Sequence, residues 1–117
     1  MRWKSKFGIF DFGPTALSFG GSDTVKSLTI PGDVNGILAE CDFSVPVWTN
    51  SVTATLSVER PDGTIIFTGT PRAKGATVLY FVEFPGNCIV SGEVIKITLS
   101  GAPGGSGGNV VVRYFGK

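Results

Sequence analysis

The chain has no histidine, only two cysteines and a single methionine. Without histidine there is no Ser-His-Asp or Cys-His nucleophile, no imidazole acid–base chemistry and no ordinary catalytic zinc site. Cys41 and Cys88 stand too far apart for any metal-binding spacing. They read as two small core residues or, alternatively, as one disulfide, which a reducing compartment disfavours. Charge is scarce as well, at 16% of residues with a formal net charge of +1. Such a balance offers no electrostatic footprint for nucleic acid. No apolar run approaches the roughly 20 residues that cross a bilayer. Nor is a secretion leader visible, because Trp3, Lys4 and Lys6 run into Gly8 and Asp11, so the expected setting is cytoplasmic. Finally, no segment carries a helical period.

What is present is alternation, cut at short intervals by 17 glycines and seven prolines. In Ile37–Val45, the residues Ile37, Ala39, Cys41, Phe43 and Val45 form one face and Leu38, Glu40, Asp42 and Ser44 the other. In Val52–Arg60 the apolar face is Val52, Ala54, Leu56 and Val58. Ile95, Ile97 and Leu99 alternate with Lys96, Thr98 and Ser100. A period of two is the mark of a half-buried antiparallel strand. Weaker strands are expected at Phe7–Phe12, at the sheet edge, and at Thr24–Ile30, Thr64–Thr68, Thr77–Phe84 and Val110–Phe115. "RPDGT" at Arg60–Thr64 has the chemistry of a tight turn. The sum is an all-β chain of about eight strands, a two-layer antiparallel β-sandwich of jelly-roll-like form. At 117 residues it is expected to be one domain.

Glu40 and Asp42 share a strand face about 6.5–7 Å apart along the chain, near the spacing of an inverting glycosidase pair. Two acids on one strand nevertheless more often mark a solvent face. Asp33, Asn35, Glu40 and Asp42 are oxygen donors of the type calcium takes, without the loop pattern that would organise them. The stretch "GAPGGSGGN" lacks the G-x-x-x-x-G-K-[ST] spacing and leads into a strand, so it is no phosphate cradle. It reads instead as an eight-residue hairpin loop, Gly101–Gly108, joining Ile95–Leu99 to Val110–Tyr114, with a flexible tip. Exposed aromatic rings would suit carbohydrate, and Trp48 between strands, with Trp3, Tyr80 and Tyr114, is the candidate set, although a Trp beside Pro46 and Val47 more often packs at the end of the sandwich. No catalytic residue, cofactor or metal site is expected.

Two features point outward. "ATVLYFVEF" and "VVVRYF" are apolar on both faces, whereas a sandwich buries only one face of each sheet. The second face must meet the chain's own arms, another subunit or another protein. The amino-terminal residues 1–6 set Trp3 among Arg2, Lys4 and Lys6, a pattern suited to a contact arm on an acidic surface. The domain division is therefore an arm at 1–6 and a sandwich at 7–117. Arg72 and Lys74 add two basic residues in a loop.

"PVWTNSVTATLSVERPDGTIIF" and "VIKITLSGAPGGSGGNVVVRYFGK" resemble small all-β structural proteins of tailed bacteriophages, in particular head decoration, or cement, proteins. The resemblance covers most of residues 28–117. It implies a non-enzymatic virion protein on the outer capsid surface, assembled in the host cytoplasm and stabilising the shell by bridging subunits. The partners it implies are the major capsid protein and further copies of the chain in a dimer or trimer, with no nucleic acid or membrane. Arg2, Trp3, Lys4, Lys6 and Phe7 are the expected contacts, with Arg72 and Lys74 beside them. A tail or head–tail connector protein and a carbohydrate-binding β-sandwich module are the alternatives.

Overall fold

The computed structural model describes residues 2–4, 10–30, 36–81, 88–89 and 92–116. They form β1 (Arg2–Lys4), β2 (Phe10–Phe19), β3 (Val25–Thr29), β4 (Gly36–Ser44), β5 (Ala54–Glu59), β6 (Ile65–Thr68), β7 (Thr77–Phe81), β8 (Cys88–Ile89), β9 (Val94–Leu99) and β10 (Gly108–Gly116). No helix occurs among the described residues. One sheet runs β1-β2-β10-β4-β7, with β8 beside β4; the other runs β3-β9-β5-β6. We call them sheets A and B. Every pairing is antiparallel.

Set aside the two short strands β1 and β8, and each sheet has four strands. The first of these principal strands pairs with the last (β2 with β10), the second with the next to last (β3 with β9), then β4 with β7 and β5 with β6. A long hairpin wound on itself produces this nesting, which is the jelly-roll form of the sandwich.

Alternation sets the core. Ala54, Leu56 and Val58 of β5 and Ile95, Ile97 and Leu99 of β9 are buried. They face Leu17 and Phe19 of β2, Phe43 of β4, Val78 of β7 and Val110 and Val112 of β10. Each fully buried side chain of this size contributes about 1.5–3 kcal/mol of transfer free energy. The "RPDGT" turn forms as its residues dictate. Gly63 has φ 90°, its N–H donates to Arg60 O at 2.9 Å, and Thr64 N–H donates to Asp62 Oδ1 at 2.9 Å. A left-handed residue at this place suits glycine.

Three expectations are corrected. Strand β2 runs from Phe10 to Phe19, and it lies between β1 and β10 rather than at the edge; residues 5–9 lie outside the described residues. Gly13-Pro14 does not end the strand. The register passes from Val112↔Thr15 to Tyr114↔Phe12, so β2 carries an extra residue there. A bulge is where a strand tolerates a proline, which cannot donate to the ladder. The second correction concerns Ile95–Leu99 and Val110–Tyr114, which are not hairpin neighbours. Strand β9 belongs to sheet B and β10 to sheet A. The glycine loop crosses between the layers.

The third correction is that this loop is no flexible tip. Gly104 N–H donates to Gly21 O at 2.9 Å and Asn50 N–H to Pro103 O at 2.8 Å. Asn50 Nδ2 donates to Ala102 O at 3.0 Å, and Pro103 is fully buried. Gly107 has φ 71°, and a Cβ on it would collide with the Phe19 carbonyl oxygen.

The disulfide alternative also falls. Cys88 pairs with Ile37, and Cys41 lies four residues further along β4. That is about 13 Å at the strand rise, beyond the reach of a disulfide.

Candidate interaction surface

The same alternation that fills the core turns a second set of side chains outward. On sheet A the pairings align Ala16, Val111, Ser44 and Thr77 across β2, β10, β4 and β7. The adjacent row holds Arg113, Asp42 and Leu79. These side chains are small or apolar apart from one acid and one base. Ala16, Thr77 and Arg113 are exposed and Val111 is half-buried. Leu79 is 50% exposed, high for a leucine in a strand. Ser44 Oγ and Thr77 Oγ1 lie 3.4 Å apart. Asp42 Oδ1 is shielded from solvent and accepts no hydrogen bond. An enclosed acceptor left without a donor is costly, on the order of 1–3 kcal/mol.

One row further on, the register aligns Trp3, Asp11, Phe115, Glu40 and Phe81 across five strands. Sequence reasoning found Trp3 as a contact candidate and noted Leu79 and Phe81 as a spare face. It had no means of aligning them, because cross-strand register is set by distant pairing. Arg2 and Lys4 flank Trp3 on β1, opposite Phe12 and Phe10. Lys6 and Phe7 lie outside the described residues, as do Asp33 and Asn35 and the side chains of Arg2, Trp3, Lys4 and Glu40.

Arg72 and Lys74 are placed elsewhere, at the end of the sandwich near Trp48. The Arg72 backbone exchanges two hydrogen bonds with Ala54, each 2.8 Å, and its side chain is half-buried. Lys74 Nζ donates to Trp48 O at 3.2 Å and to Thr49 O at 3.4 Å. Both residues fasten loops instead of reaching freely outward.

Trp48 packs at the end of the sandwich, as a Trp beside Pro46 and Val47 more often does. It is 3% exposed, its ring meets Phe19 edge-on at 6.1 Å, and Nε1 donates to Val52 O at 3.5 Å. A ring enclosed in this way offers no face to a sugar. Tyr80 and Tyr114 take part in β7 and β10, and their side chains lie outside the described residues. Among the described residues, no group of three His, Cys, Asp or Glu side chains converges as a metal site would require.

The outer face of sheet B is different. Lys96 at its centre forms an ion pair with Glu59 on the neighbouring strand. Around them lie Ser27, Thr55, Thr98 and Thr68. The exposed apolar residues, Val25 at 47% and Ile65 at 60%, stand apart on the two edge strands.

No family model matches the chain, and no curated protein matches it. Solved structures similar to it include a chain of the T13 IBDV viral particle, at 14% identity and TM-score 0.44 over 92% of this chain and 29% of that one. Another is the infectious bursal disease virus VP2 subviral particle, at 11% identity and TM-score 0.40 over 92% of this chain and 31% of that one. The chain spans under a third of the length of these viral chains. The Drosophila NLP-core, a protein described for pentamer formation and histone binding, is similar at 10% identity and TM-score 0.41, over 88% of this chain and 97% of that one.

Proposed function

We propose that the chain is a virion structural protein, a capsid decoration protein that binds the outer capsid surface and stabilises the shell by bridging subunits. The observation that carries this reading is the outer face of sheet A, where exposed Leu79 is in register with Asp42 and Ala16 and Val111 lie in the adjacent row. Area burial against a partner is the work such a face can do. The residues behind the resemblance to phage structural proteins are themselves structural here. Trp48 packs on Phe19, Asn50 holds the glycine crossover, and Asp62 and Gly63 close a turn. A protein that binds only the intact shell raises the shell's stability by mass action.

The test is to mix purified protein with decoration-free particles, sediment them and heat them. Co-sedimentation and a higher disruption temperature are expected; a protein that stays in the supernatant and leaves that temperature unchanged would refute the reading. Replacing Arg2, Lys4 and Lys6 with serine should weaken shell binding while the far-UV circular dichroism stays the same. Particle imaging separates this role from one in the tail or connector, since decoration requires many symmetric copies on the shell.

A further inference from the structure

We infer that the outer edge of β7 is a self-association site, where two copies of the chain pair β7 with β7 antiparallel about a two-fold axis at Leu79 and join their A sheets into one continuous sheet. Four strands end the sheets, β1 and β7 in sheet A and β3 and β6 in sheet B. An edge strand exposes a row of unpaired backbone groups, and charge, bulges and short length are what keep it from pairing with another chain. Strand β1 has three residues, Arg2 and Lys4 among them. Strand β3 carries Lys26. Strand β6 has four residues, and its register passes from Val58↔Phe67 to Glu59↔Ile65, so it bulges at Ile66. Strand β7 has none of these devices. Its five residues, Thr-Val-Leu-Tyr-Phe, hold no charge, proline or glycine, and its register with β4 is unbroken from Thr77 to Phe81. Lys74, the cation that precedes it, donates to the Trp48 and Thr49 carbonyls instead.

The ladder fixes which backbone groups of β7 point outward. Val45 N–H donates to Ala76 O at 2.8 Å, which marks a hydrogen-bonded antiparallel pair, and such pairs alternate along the strands. Val78 and Tyr80 therefore bond to Phe43 and Cys41 opposite them. The N–H and C=O groups of Thr77, Leu79 and Phe81 point away from β4. Among the described residues, no strand pairs with that side of β7. Such a row is satisfied by another extended strand, and a second β7 is self-complementary to it, as a two-fold contact requires. Leu79 then lies opposite the second copy's Leu79, and Thr77 opposite the second copy's Phe81. This register forms about six backbone hydrogen bonds. No like charges meet, because the paired strands carry none. Leu79, 50% exposed in the single chain, comes beside its own counterpart, with the two Cα atoms about 5.5 Å apart. The contact is short, about 17 Å for five residues at ~3.3 Å each. One strand pair of that length falls below the ~1,000 Å² of a stable interface, so the dimer is a weak one, populated at hundreds of micromolar.

Shell binding is not needed for this pairing, and free protein without shells tests it, so the two readings fail separately. Analytical ultracentrifugation of the full chain should show monomer at tens of micromolar and a growing dimer fraction toward millimolar. Leu79→Lys and Leu79→Glu, each alone, set like charges against each other at the axis and should stay monomeric throughout. An equimolar mixture of the two variants should recover the dimer, because the axis brings position 79 against itself. Thr77→Pro removes an outward N–H that β4 does not use, at the first residue of an edge strand, where proline is tolerated. It should keep the wild-type far-UV circular dichroism and be monomeric, whereas Thr77→Ala, which retains the N–H, should dimerise like the wild type. The Leu79 pair keeps the test decisive if Thr77→Pro misfolds. A wild-type chain that is monomeric at every concentration, a folded Thr77→Pro variant that dimerises, or Leu79 variants that do not pair on mixing would each overturn the inference. A monomeric wild type whose shell binding is lost with Thr77→Pro would assign the edge to a strand of the capsid and likewise overturn self-pairing.

Discussion

The two sheets share one core but present different outer faces. On sheet B the central cation has its anion one strand away, and hydroxyl side chains surround the pair. On sheet A the central acid retains an enclosed acceptor without a donor, and Leu79 is half exposed beside it. The inner faces do not predict this difference, since both are built from buried apolar residues, leucine and β-branched side chains among them. The contrast teaches that a β-sandwich can ring a central ion pair with hydroxyls on one outer face and set an exposed leucine beside an enclosed acceptor on the other while keeping the same alternation on both.

The largest expected effect tests what holds the two layers in place. Gly107→Ala forces a left-handed residue into a Cβ collision with the Phe19 carbonyl, at the crossover from sheet B to sheet A. A loss of about 3 kcal/mol or more is expected in denaturant unfolding. Gly63→Ala, at φ 90° in an open turn with nothing near its Cβ, should cost only about 1 kcal/mol. Equal losses would mean that the crossover is not locked.

Next in size is the difference between the faces themselves. Leu79→Lys and Ile65→Lys each change an exposed apolar side chain, one on each sheet. Both should leave stability within about 0.5 kcal/mol. Only Leu79→Lys should weaken co-sedimentation with decoration-free particles. A matching loss with Ile65→Lys would erase the distinction between the sheets.

The sheet B ion pair is expected to matter less. Lys96 and Glu59 are 33% and 15% exposed at their side chains, so screening is partial. Lys96→Met should cost about 1 kcal/mol or less, with the loss shrinking in high salt.

The smallest effect lies in two exposed turns. Gly20 N–H donates to Asp23 Oδ2 at 2.7 Å, and that bond, with Lys26 nearby, holds the Asp23 carboxyl below its ordinary value. The Thr64 N–H does the same for Asp62. A folded-state pKa below the unfolded one adds stability that is complete above the unfolded value of about 3.9. That stability is lost as pH falls through the lower folded value. Thermal melts should therefore show a decline beginning below about pH 4, and Asp23→Asn with Asp62→Asn should make it shallower. An unchanged acid slope in the double variant would remove these turns from the account.

Much of the fold was legible in the residues. The alternation in Val52–Arg60 and Ile95–Leu99 marked the buried faces that β5 and β9 present, and Pro61-Asp62-Gly63 marked the turn from β5 to β6. The candidate surface was half legible: "ATVLYFVEF" announced a spare apolar face, but nothing local said that Leu79 lies one pairing away from Asp42. Trp48 was half legible too. Its neighbours Pro46 and Val47 pointed to packing at the sandwich end, but nothing local named Phe19, distant in sequence, as the ring it meets.

The sequence by itself determined which residues point inward, where the chain turns and which catalytic chemistries histidine would have carried are missing. These are properties of neighbouring residues, set by side-chain alternation and by the φ values glycine and proline permit. Only the tertiary structure decided that Gly101–Gly108 crosses between sheets instead of closing a hairpin. A loop of that length serves either purpose. The choice fell to the Val-rich β10, which packs between β2 and β4 because pairing on both sides buries Val110 and Val112 completely.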